Sequence, residues 1–148
     1  MADQKQFCTF YLDNHMFGVK VEQVQEVFRY QEMTTVPLAP AVVRGLINLR
    51  GQIITAIDLR QRLGMVPLTG DKLPMNVVVR TEDGVVSLLV DEIGDVLEVP
   101  EDVYERPPET IPREVRQLVL GVYKLTGKLL LILDSEKAVN VNTGALMT

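Results

Sequence analysis

The chain has 148 residues, 47% hydrophobic and 24% charged, which suits one globular domain or two subdomains on a shared core and argues against disorder. Twenty acidic against fifteen basic residues leave a net charge of −5, which opposes general affinity for nucleic acid or an anionic membrane. One cysteine, Cys8, excludes an intramolecular disulfide and a cysteine-built zinc site, and 5% aromatics without tryptophan require an aliphatic core.

The first six residues are polar and hold no apolar signal core, which predicts a cytoplasmic protein. Apolar runs elsewhere are too short to span a bilayer. Residues 7–12 predict a strand with Cys8 as a buried structural thiol, and Asp13-Asn14 a turn. Phe17, Val19 and Val21 then alternate with Gly18, Lys20 and Glu22, the period of a half-buried strand. Residues 22–24 predict one helical turn and 25–30 a strand. Two prolines make 34–40 a loop, with a single helical turn from Pro40 to Val43. A hairpin is expected over 45–57, a short helix over 59–64 and a linker over 66–74. A second hairpin comes at 76–80 and 85–90, then a turn and strand over 91–96, continued by 97–99. Four prolines predict an irregular loop over 100–112. A short helix over 113–118, a hairpin over 121–133, a short helix over 135–139 and a fraying tail complete the chain.

Two stretches of this pattern repeat. Gly45, Leu49, Gly51 and Asp58 recur as Gly121, Leu125, Gly127 and Asp134, 76 positions later. Each copy reads strand, glycine turn, strand, with Gly51 and Gly127 supplying left-handed backbone and the aspartate placed to cap the next turn or helix. Val21-Glu-Gln-Val-Gln-Glu-Val27 is likewise echoed by Val90-Asp-Glu-Ile-Gly-Asp-Val96, 69 positions on. Two echoes in one order argue for a duplicated β-rich unit, about 7–65 and 75–139, with about five strands each. Strands this short bury their edges best in small packed barrels, with exchange of strands between the copies left open.

Catalytic chemistry is scarce. His15 falls in a turn, where a histidine is ordinarily solvated. No phosphate loop, nucleophile set or paired metal-ligand spacing occurs. The clusters Glu22/Glu26 and Asp91/Glu92/Asp95 lack calcium-loop spacing and read as solvated acidic faces. An enzyme is not expected, nor a metal or cofactor. Arg50, at the first hairpin tip, stands where the second copy has Thr126, so the repeat itself does not demand it. It is either an ordinary turn arginine or a fixed guanidinium aimed at a partner, near Glu26 if the units pack face to face.

Residues 24–27, 43–59, 88–97 and 121–137 resemble the CheW-like family of bacterial chemotaxis coupling proteins, most specifically in Asn48-Leu49-Arg50-Gly51 and Asp58-Leu59. The resemblance covers about residues 5–140. It implies two packed five-stranded Src-homology-3-like barrels, mainly β with a few short helices, in a single domain. It also implies a non-enzymatic adaptor that joins the regulatory domain of a CheA-type histidine kinase to the cytoplasmic tip of methyl-accepting chemoreceptors. The positions carried over to the receptor groove are Val24, Glu26, Arg50, Val77 and Val96, with Gly45 and Gly51 supporting the hairpin backbone. Ser87 stands where members often have glycine, and would narrow the groove there. No receiver or kinase extension is seen, which favours a free-standing coupler, recruited to receptor arrays and able to self-associate weakly. A coupler for twitching, gliding or development is the alternative.

Overall fold

The computed structural model describes residues 4–101 and 104–140. Its strands are β1 (Gln4–Leu12), β2 (His15–Lys20), β3 (Val24–Phe28), β4 (Val43–Leu49), β5 (Gln52–Asp58), β6 (Met75–Thr81), β7 (Gly84–Val90), β8 (Glu92–Pro100), β9 (Tyr104–Glu105), β10 (Val119–Leu125) and β11 (Lys128–Leu133). Three short helices are α1 (Leu59–Arg62), α2 (Arg113–Arg116) and α3 (Ser135–Val139). The helices after β5 and β11 begin alike: Asp58 and Asp134 accept from the backbone N–H of Gln61 and Lys137, satisfying an amide the first turn leaves free.

The strands form two sheets, ordered β8-β1-β2-β11-β10-β9 and β3-β6-β7-β5-β4. Neither copy of the repeat makes a sheet by itself. The hairpin β1–β2 of the first copy sits in the sheet of β8, β10 and β11. The hairpin β6–β7 of the second sits with β3, β4 and β5. Parallel ladders join the exchanged hairpins to their hosts, β2 to β11 and β5 to β7. The two ladders share one register: Phe17 faces Leu131 in one, and the repeat-equivalent Val86 faces Thr55 in the other. Both copies also carry a register shift at the same place, between Val43 and Gly45 and between Val119 and Gly121.

One aliphatic core spans both sheets, with Phe10, Phe17, Ile57, Val79, Leu88 and Leu133 all under 2% exposed. The rings of Phe10 and Phe17 stack at 5.9 Å in its centre.

Several expected boundaries shift. The helical turn is a 3-10 turn over Val21–Gln23, and β3 starts at Val24. The residues from Pro40 close a hydrogen-bonded turn onto Val43, at 2.9 Å, rather than a helix. β1 starts at Gln4, because it runs along β8 as far as Pro100. Pro100 is tolerated there because β8 is an edge strand. The loop expected over 100–112 contains β9, which pairs Tyr104 and Glu105 with Tyr123 and Val122. The fraying tail, after Asn140, lies outside the described residues.

Candidate partner-binding surface

The Arg50 hairpin is built by its local sequence. Leu49 and Gln52 pair across a two-residue turn in which Arg50 (φ 52°) and Gly51 (φ 88°) are both left-handed, the geometry that matches strand twist. Asn48 Oδ1 accepts the Gly51 N–H at 3.0 Å and closes the turn. Arg50 thus adopts a backbone that glycine or asparagine takes at less cost, and its side chain stays 71% exposed. Its guanidinium pairs with Glu26 on β3. The structure thus brings Arg50 and Glu26 together at the hairpin tip.

Gly45 supports this hairpin by having no side chain. A Cβ there would lie 2.6 Å from the Thr34 carbonyl oxygen and 2.9 Å from the Met33 Cβ, where the preceding segment crosses β4. The repeat-equivalent Gly121 has the same duty under the Tyr104 ring, 2.2 Å from a Cβ position.

The valines divide. Val24 is half-buried against the core, and Val96 is 58% exposed on edge strand β8. Val77 is 1% exposed inside the main core, so it offers no surface to a partner and its assignment to a binding groove is corrected here. β6 is an interior strand covered on both faces, and Val77 is simply one of its core residues. Opposite Val77 on β3 stands Val27, 42% exposed, which the family resemblance does not single out. Val27 and Val96 are equivalent in the repeat, and that equivalence is the signal that points to it.

Ser87 does not narrow a groove. It is fully buried, and its Oγ donates to Asn76 Oδ1 at 2.7 Å. His15 is exposed, and the described residues bring together no group of three or more metal-ligating side chains. Cys8 is half-buried, and burial pushes its thiol up, away from the nucleophilic form.

The acid at Asp91 is not a solvated face. Arg60, 7% exposed, donates Nε and Nη2 to its two carboxylate oxygens, both at 2.7 Å. Arg60 also holds Asp13 and, through Nη1 at 2.5 Å, the Val66 carbonyl. Burial alone would raise the Asp91 carboxyl. The Arg60 hydrogen bonds, the Asp13 amide and the charges of Arg60 and Lys72 outweigh it and hold Asp91 below its ordinary value. The Asp91 bond to Arg60 raises the guanidinium more than burial lowers it, with Asp13 adding to the rise. This bidentate clamp ties the β1–β2 turn, the linker and the start of β8 into one point.

Residues 6–142 match the CheW-like domain family. The chain belongs to that family. It is 31% identical over 139 residues to the chemotaxis protein CheW of Treponema pallidum, covering 91% of this chain and 82% of that one. With the chemotaxis protein CheW of Klebsiella aerogenes the identity is 28%, over 97% of this chain and 86% of its relative. The crystal structure of the scaffolding protein TtCheW from Thermoanaerobacter tengcongensis superposes with a TM-score of 0.83 at 29% identity, covering 96% and 95% of the two chains. Membership in this family makes the chain a non-enzymatic, scaffold-type chemotaxis protein. No helix among the described residues is long and apolar enough to cross a membrane.

Proposed function

We propose that this protein couples methyl-accepting chemoreceptors to a CheA-type histidine kinase, binding the receptor tip through the surface around Arg50 and Glu26. The observation that carries the reading is their ion pair at a left-handed hairpin tip, where the repeat requires no arginine. An exposed ion pair adds little stability, about 0–1 kcal/mol. Its presence at a conformationally costly position therefore fits recognition better than folding. Val24, Val27 and Val96 supply apolar contact area in this reading, and the charged pair supplies orientation. The kinase is engaged through a separate surface, so one chain raises the local concentration of each partner for the other.

The test is titration of the protein against a chemoreceptor cytoplasmic fragment and, separately, against a CheA regulatory domain. Both should bind saturably. Arg50→Glu should lose at least tenfold in receptor affinity, about 1.4 kcal/mol, with kinase affinity and thermal midpoint kept. Unchanged receptor binding in the folded variant would sink the assignment.

A further inference from the structure

The order of strands in the two sheets decides how the chain is held together. Divided at the linker, the first half contributes β1 to β5 and the second contributes β6 to β11. Four ladders then run between halves: β1 with β8, β2 with β11, β3 with β6, and β5 with β7. The core is equally mixed, with Phe10, Phe17 and Ile57 from one half packed on Val79, Leu88 and Leu133 from the other. The linker is tied at its start, where Arg60 holds the Val66 carbonyl, and adds little beyond that. Val66 and Leu73 are 72% and 59% exposed, and Gly70 is left-handed with open space around it. With a single cysteine in the sequence, no disulfide joins the halves.

We infer that each half is a docking surface for the complementary half, supplied by its own chain or by a second copy. Beyond Val66, the linker is a tether rather than a structural element. Two chains can then trade halves into a strand-exchanged dimer in which all four of these ladders are re-formed between chains. The tether sets the balance. A short flexible tether corresponds to an effective concentration on the order of millimolar, so micromolar protein closes on itself and exchange requires refolding in concentrated solution.

The experiment uses the full chain with a protease recognition sequence inserted between Thr69 and Gly70, both exposed. After cutting, the two pieces should co-elute as one particle of the uncut size and unfold in one cooperative transition. In parallel, the uncut natural chain is unfolded and refolded at about 1 µM and at about 1 mM, either side of the tether's effective concentration. Monomer alone is expected at the lower concentration. At the higher one a discrete dimer should form and persist on dilution, because its separation requires unfolding. Pieces that part on cutting overturn the inference. So does refolding only to monomer at the higher concentration, or to a dimer that dissociates at once on dilution, the sign of surface contact.

Discussion

Positions related by the repeat share a strand register but not a chemistry, and two such pairs show what each contributes. In the sheet of β1 and β2, Phe7 lies over Gly18, where a Cβ would come 3.1 Å from Leu130 Cδ1 and 3.3 Å from Phe7 Cβ. In the sheet of β6 and β7 the same places hold Asn76 and Ser87, both fully buried and hydrogen-bonded to each other. Asn76 Nδ2 also donates to the Arg29 carbonyl at 3.1 Å, where the chain leaves β3. One sheet fills the site with a phenylalanine beside a glycine; the other fills it with a satisfied polar pair. The second contrast is between Arg60 and its equivalent, Glu136. Arg60 clamps two acids and a carbonyl, whereas Glu136, among the described residues, accepts only the Glu82 N–H, at 3.2 Å. Register is common property of the copies, and side-chain bonding is particular to each.

Removing the clamp should have the largest effect. Arg60→Met leaves the Asp91 carboxylate, 12% exposed, without its cation. A loss of about 3–5 kcal/mol is expected in urea unfolding, against about 0.5 kcal/mol or less for Glu136→Gln. Equal losses would mean that the copies are electrostatically alike after all. The same clamp sets a pH dependence. Because folding holds Asp91 below its ordinary value of 3.8, its contribution is complete above that value and is lost as pH falls through the folded one. The difference in stability between the natural chain and Arg60→Met should therefore shrink as pH falls. It shrinks first above 3.8, where burial without Arg60 makes the variant's Asp91 take up its proton early, and then as the natural chain's Asp91 protonates.

The buried pairs come next. Asn76→Ala strips a partner from Ser87 Oγ and from the Arg29 carbonyl, at a cost of about 2 kcal/mol. Gly18→Ala presses on Leu130 and Phe7 and should cost about 1–2 kcal/mol by overpacking. Chemical-denaturation midpoints measure both. The smallest effect sharpens the likeness instead: Asp58→Ala and Asp134→Ala each remove one cap, about 1 kcal/mol. Asp58 should cost slightly more because it also pairs with Arg44 at 3.3 Å.

The range of each interaction decides how far it can be read from residues alone. The hairpins, their glycine turns and the two aspartate caps are local, and the repeated Gly and Asp columns mark them directly. Arg60 is invisible in the sequence because its acids lie 31 and 47 positions away and nothing in the intervening pattern ties them to it. Val77 is misplaced for a related reason. Residues 76–79 are buried on both faces, and a run of valines does not say whether its outward face meets solvent or another layer. β9 hides among prolines because its existence depends on a ladder to β10 rather than on its own propensity. Arg50 stands out because the repeat supplies an internal control, Thr126, and Glu26 joins it through the family resemblance.

The exchanged hairpin also imposes an order on synthesis. Phe17 finds its ladder partner in Leu131, 114 positions downstream, and Phe7 finds Leu97. At about 5–20 residues per second, the ribosome supplies β11 roughly 6–23 s after β2. Until then the β1–β2 hairpin, with the apolar faces of Phe10 and Phe17, has no sheet to join. Such long-range pairing slows folding and leaves a nascent chain with sticky edges. The first half of this protein thus waits for the second before its β1–β2 hairpin can complete its sheet.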